Sequence, residues 1–121
     1  MGQRVLVVDD SMPVRQQVKF CLERAGFDIT EAKDGQEAID ILENDMDFAL
    51  ILSDINMPKV DGLELVKAAV AMGFKNPICM LTTEDGIQMI NSAKQAGAKA
   101  FFIKPFAPAD LIKTAQKLTS V

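Results

Sequence analysis

The sequence predicts an α/β fold: a doubly wound (βα)5 domain with a five-stranded parallel sheet. Three observations predict it. Short apolar runs alternate five times with segments whose apolar residues recur at helical spacing. The strand-like runs are mostly continuous rather than alternating, as in strands buried on both faces. Four of the five runs deliver polar or charged residues at their carboxyl ends, the rim at which open α/β sheets bind ligands.

The elements follow in order. Val5 to Val8, within RVLVVDD, is an apolar run too short for a helix and reads as the first strand. Val14, Val18, Cys21, Leu22 and Ala25 then share one helical face, and Gly26 stops that helix as a residue able to turn left-handed. Asp10 or Ser11 can cap it, and Pro13 suits its first turn. FDITEA, 27–32, is a short second strand. Asp34 caps the next helix with Glu37 in a capping-box arrangement, and Ala38, Ile41 and Leu42 form its inner face. Phe48 to Ser53 is the third strand. Asp61 caps the third helix, which Leu63, Val66, Ala69 and Val70 mark and which ends near Gly73. Pro77 opens the fourth strand, ICMLT. Thr83 caps a fourth helix marked by Ile87, Ile90 and Ala93 and closed by Gly97. AFFI, 100–103, is the fifth strand, and Leu111, Ile112, Ala115 and Leu118 mark the last helix.

Composition narrows the function. The 121 residues suit one domain, 1–121, with no linker, repeat or low-complexity segment. Lys plus Arg is 13 and Asp plus Glu is 17, a net charge of −4, and no basic run offers a footprint for nucleic acid. No apolar stretch is long enough for a bilayer and no signal peptide precedes the first strand, so the expected location is the cytoplasm. Cys21 and Cys79 sit inside apolar patterns and read as small buried hydrophobes. There is no histidine, which removes Ser-His, Cys-His and His-metal chemistry together. What remains is carboxylates, hydroxyls, lysine and a hard metal ion.

Those groups gather at the rim. The first strand delivers Asp9 and Asp10, the third Asp54 with Asn56 just beyond, the fourth Thr82 and Thr83, the fifth Lys104 and then Pro105, and the second no comparable cluster. Three converging carboxylates repel, raising at least one pKa, unless a cation joins them. An all-oxygen ligand set suits Mg2+, or Mn2+, and disfavours Zn2+. Lys104 and Thr82 can hold phosphate oxygens opposite. A carboxylate facing such a site can attack phosphorus, so Asp54 reads as a phosphoryl acceptor.

The motifs VLVVDDS with Arg15, DGQEA at 34–38, DINMPKVDG at 54–62, LTTE at 81–84 and KPF at 104–106 together resemble the receiver domains of two-component response regulators, the CheY-like family, over Val5 to about Thr119. The resemblance implies a flavodoxin-like fold with strand order 2-1-3-4-5, an order this family exemplifies. It implies Asp54 as the phosphorylated aspartate, Asp10 and Asp54 as direct Mg2+ ligands, Asp9 acting largely through water, and the Asn56 backbone carbonyl completing the site. Lys104 resembles the lysine that contacts the phosphoryl group, before a proline whose bond is cis in many relatives. Thr82 resembles the switch hydroxyl and Phe101 the switch aromatic, though Phe101 serves equally as core. Asn56 and Glu84 stand at positions that influence phosphoryl lifetime, in a pairing like that of the fast-hydrolysing chemotaxis type. Two departures stand out: Phe101 has no phenol hydroxyl, and Thr83 stands where alanine is common.

The function this implies is a switch loaded by a sensor histidine kinase, monomeric, with no output domain and no enzyme activity beyond its own phosphorylation and dephosphorylation. Its protein target would bind the face of helix four, strand five and helix five, through Gln88, Asn91, Gln95, Lys99 and Phe101. Alternatives are a phosphorelay intermediate passing the group to a histidine phosphotransfer protein, and a receiver cut from a longer transcriptional regulator. An aspartate-nucleophile phosphatase would need its DxD on the first strand and a cap. A flavodoxin-like electron carrier would need a phosphate-cradling loop, and the chain has neither Trp nor Tyr to stack on flavin.

Overall fold

In the computed structural model, residues 2–57 and 60–119 are described, without the side chains of residues 84–86. The order is β1 (Arg4–Val8), α1 (Met12–Arg24), β2 (Asp28–Ala32), α2 (Gly35–Asn44), β3 (Leu50–Asp54), α3 (Gly62–Ala71), β4 (Ile78–Thr82), a 3-10 turn (Glu84–Met89), α4 (Ile90–Ala96), β5 (Ala100–Ile103) and α5 (Pro108–Thr119). All strands pair in parallel in the order β2-β1-β3-β4-β5, as the resemblance implied.

The strand runs are continuous because each serves two cores. Val5, Val7, Leu50, Leu52, Cys79 and Leu81 face α1 and α5, meeting Val18, Leu22, Leu111 and Ala115. Leu6, Val8, Ile51 and Met80 face α2, α3 and α4, meeting Leu42, Leu65, Val66 and Ala93. Each fully buried Leu, Ile or Val contributes roughly 2 kcal/mol of transfer free energy. Helices α1, α3 and α4 end before Gly26, Gly73 and Gly97, each at positive φ.

The caps form with variations. Ser11, not Asp10, caps α1, accepting from the Val14 N–H at 3.5 Å. Asp61 and Glu64 form a complete capping box on α3. Asp34 accepts from the Glu37 N–H at 2.8 Å, but the Glu37 carboxylate reaches back to the Lys33 N–H at 3.0 Å rather than to Asp34.

Several expectations are corrected. β3 starts at Leu50 rather than Phe48 and runs through Asp54. Phe48 is buried before the strand, its ring 4.4 Å from the Arg4 guanidinium. Val70 is 47% and Ile87 44% exposed, so neither belongs to an inner face. Residues 84–89 form a 3-10 turn, not α-helix, and Thr83 stands at its N-cap without a side-chain capping bond. Cys79 is buried, its thiol pushed up to about 12 by burial, whereas Cys21 is only half-buried. Asp45 pairs with Arg4 at 2.8 Å while staying partly exposed. Pro58 and Lys59, within the DINMPKVDG motif, and the side chain of Glu84 lie outside the described residues.

Candidate functional site

The sheet order places β1 and β3 side by side at its centre, with β4 next to β3. Their carboxyl ends bring carboxylate oxygens of Asp9, Asp10 and Asp54 within 4.8 Å of one another. Asp9 and Asp54 are buried and Asp10 is exposed. Lys104, just beyond β5, reaches across to both buried carboxylates: Nζ lies 2.9 Å from Asp9 Oδ2 and 3.3 Å from Asp54 Oδ2. The bond from Lys104 to Pro105 is cis.

Backbone donors complete the cradle. The Ser11 N–H donates to Asp9 Oδ1 at 2.8 Å, and the Asn56 N–H donates to Asp54 Oδ1 at 3.2 Å. The end of β3 is held from the other side, where the Gly62 N–H at the start of α3 donates to the Ile55 carbonyl at 2.8 Å. A Cβ on Gly62 would stand 2.4 Å from the Asp54 carbonyl oxygen, so only glycine lets α3 start this close to the carboxylate's own backbone.

One lysine cannot balance three carboxylates. Burial pushes the Asp54 carboxyl above its ordinary range and the Asp9 charge adds to that, while Lys104 and the Asn56 N–H pull it down without overcoming it. For Lys104, burial alone would lower the pKa. The hydrogen bond to Asp9 and the charges of Asp54 and Asp9 outweigh that and raise it. A net negative, all-oxygen cluster of Asp9, Asp10 and Asp54 with one solvent-facing member could hold a hard divalent cation.

The structure thus brings Asp9, Asp10, Asp54 and Lys104 together. Thr82 ends β4 beside β5, fully buried, with its hydroxyl donating to the Thr83 carbonyl at 3.0 Å. Phe101 is half-buried against the α2–α4 core, and the Lys94 ammonium lies 5.6 Å from its ring centroid. Gln88, Asn91, Gln95 and Lys99 are all exposed. The largest residue missed by sequence reasoning is Glu31. β2 offers no cluster comparable to those of the other strands, yet it places Glu31 where it binds Arg15, whose guanidinium also holds the Asp9 carbonyl. The signal was a lone carboxylate one residue before the end of a short strand.

The response regulator receiver domain family model matches residues 5–116. The chain is 42% identical over 108 residues to the chemotaxis protein CheY1 of Helicobacter pylori, covering 87% of each chain. It is 37% identical over 112 residues to the response regulator MprA of Mycolicibacterium vanbaalenii, covering 93% of this chain and 48% of that one. The structure of the chemotaxis response regulator CheY4 of Vibrio cholerae superposes with a TM-score of 0.88 at 39% identity, over 98% of this chain and 99% of the other. Among the described residues, no helix is long and apolar enough to cross a membrane.

Proposed function

The chain belongs to the response regulator receiver domain family, and from that premise we propose that it is a phosphorylation-activated signalling switch of chemotaxis type. The observation that carries the reading is the Asp54 carboxylate, buried at the end of β3, shared with Lys104 and clustered with Asp9 and Asp10. In the proposed reaction an Asp54 oxygen attacks the phosphorus of a phosphohistidine on a sensor kinase. The bond from phosphorus to the histidine nitrogen breaks and the nitrogen keeps the electron pair. Asp9, Asp10 and Asp54, with the Asn56 carbonyl, would hold Mg2+ or Mn2+, which when bound neutralises charge on the carboxylate and the phosphoryl oxygens.

The protein's own residues do the rest. Lys104 is divided between Asp9 and Asp54, and would turn to the phosphoryl oxygens once these arrive. The Thr82 hydroxyl would exchange the Thr83 carbonyl for the same oxygens. Thr82 and Phe101 lie on the same sheet face, since Met80 pairs with Phe101 and Thr82 with Ile103. Movement at Thr82 would then be felt on the sheet face that carries Phe101, and we take Gln88, Asn91, Gln95, Lys99 and Phe101 as the surface read by a separate protein target. In this reading the switch works as a cytoplasmic monomer. It catalyses only its own phosphorylation and dephosphorylation, and binds neither nucleic acid nor membrane.

The test is intact mass after incubation with acetyl phosphate, with and without Mg2+, on wild type and Asp54→Asn. The expected result is one added phosphoryl group, acid-stable and base-labile, requiring Mg2+ and absent in the variant. Its rapid decay would support a short chemotaxis-type signal, and persistence over hours would support a relay store. An adduct that survives in Asp54→Asn would place the acceptor elsewhere.

A further inference from the structure

Asp9 sits at the hinge between β1 and the acidic rim, and its backbone is held from both sides. Its N–H donates to the Ala32 carbonyl of β2 at 3.2 Å. Its carbonyl accepts from Arg15 Nη1, on α1, at 2.7 Å. The same guanidinium places Nε 3.3 Å from Glu31 Oε1 on β2. Glu31 is itself crowded with donors: Gln16 Nε2 lies 3.1 Å from Oε1, and Lys19 Nζ lies 3.3 Å from Oε2. The Arg15 side chain is only 15% exposed. A planar fork of five donors can span a carbonyl and a carboxylate at once, which a single ammonium cannot do with the same geometry.

The Asp9 carbonyl is half of the Asp9–Asp10 peptide. Because that unit is planar, fixing its oxygen fixes the direction in which the chain leaves β1. Asp10 is the exposed member of the carboxylate cluster, so the backbone is what aims it. We propose that Arg15, braced by Glu31, is a positioning residue for this site: it orients the Asp9–Asp10 peptide and so sets how tightly the site holds a divalent cation. Arg15 does this without touching cation or phosphoryl group. The inference rests on the reading of the site given above, and it gives β2 a part in the site. The simpler role, a tie between α1 and β2, predicts lost stability and nothing else.

Calorimetric titration with Mg2+ separates the two, using wild type, Arg15→Ala, Arg15→Lys and Glu31→Gln, each checked for folding by circular dichroism. Arg15→Ala is expected to bind Mg2+ about 10-fold more weakly, the lower end for loss of a residue that orients metal ligands. In the metal-free protein its Asp10 amide resonance shifts away from the wild-type position. Arg15→Lys recovers part of the affinity, and Glu31→Gln loses part of it with Arg15 intact. A folded Arg15→Ala protein with wild-type Mg2+ affinity overturns the proposal and leaves only the tie. Should Arg15→Ala fail to fold, unchanged affinity in Arg15→Lys and Glu31→Gln overturns it equally. A wild-type protein that binds Mg2+ but takes no phosphoryl group from acetyl phosphate counts against the phosphoacceptor reading alone, because the affinities still decide the role of Arg15. A wild-type protein that binds no Mg2+ overturns both.

Discussion

The two ends of the sheet handle charge in opposite ways. At the amino end, Arg4 is matched group for group. Asp45 lies 2.8 Å from its guanidinium, the Asp47 carbonyl accepts from it at 3.1 Å, and the Phe48 ring lies beneath it at 4.4 Å. This end ties β1 to the loop between α2 and β3, and the ties are complete. At the carboxyl end, Asp9 and Asp54, both buried, share Lys104, and the exposed Asp10 carboxylate clusters with them; among the described residues no other side-chain cation contacts the Asp9 or Asp54 carboxylate. The contrast appears in the pKa directions: Asp45 is held below its ordinary range by its bond to Arg4, while burial holds Asp54 above its own. One end pairs its charge within the fold; the other gathers three carboxylates around one lysine.

Gly62→Ala breaks the comparison hardest, at the carboxyl end. The added methyl would meet the Asp54 carbonyl at 2.4 Å and the Ile55 Cα at 2.7 Å, both backbone, and the Met80 methyl at 2.6 Å. Urea unfolding should show a loss of about 1–3 kcal/mol, the usual cost of overpacking. The rate of phosphoryl loading should fall with it, because the strand end carrying Asp54 is what moves. Asp45→Asn is the smaller change, at the amino end. Its ion pair is solvent-facing, so the urea midpoint should drop slightly and salt should erase the difference. The pH dependence has a definite sign. A carboxyl whose folded pKa is depressed adds stability above its unfolded pKa and loses it as pH falls through the folded value, so acidification should close the gap between wild type and Asp45→Asn. Phosphoryl loading should be unchanged in this variant.

The elements were legible in the sequence where burial decided them. The apolar strand runs and the 14, 18, 21, 22, 25 spacing of α1 have few other solutions. The fourth helix was less so: Ile87, Ile90 and Ala93 are spaced by three, a period that a 3-10 turn satisfies as well as an α-helix, and the chain takes 3-10 through Met89. Val70 follows the buried Val66 by one turn yet lies at the edge of the stripe, facing the close of α4 at Gly97. At the site, Asp54, the neighbouring aspartates and Lys104 could be found because they stand at or just beyond the carboxyl ends of β3, β1 and β5. Invisible were the contacts between elements far apart in the chain: Lys104 on Asp9, 95 residues away, and Arg15 on Glu31, 16 away. Both depend on strand order and side-chain reach rather than on any local pattern.

The central claim is that the carboxyl end is left electrostatically unbalanced for a cation and a phosphoryl group. Thermal melting of wild type and Asp54→Asn at pH 7, with and without Mg2+, tests it most directly. A carboxyl whose folded pKa is raised stabilises the fold only below its unfolded pKa, and that stability is lost as pH rises through the folded value. Without Mg2+, Asp54→Asn should therefore melt a few degrees above wild type, and that gap should shrink on acidification. Mg2+ should raise the wild-type melting temperature, since it binds the folded chain, and should raise that of the variant less. A variant that melts at or below wild type, in a protein whose melting Mg2+ does not move, would contradict the account.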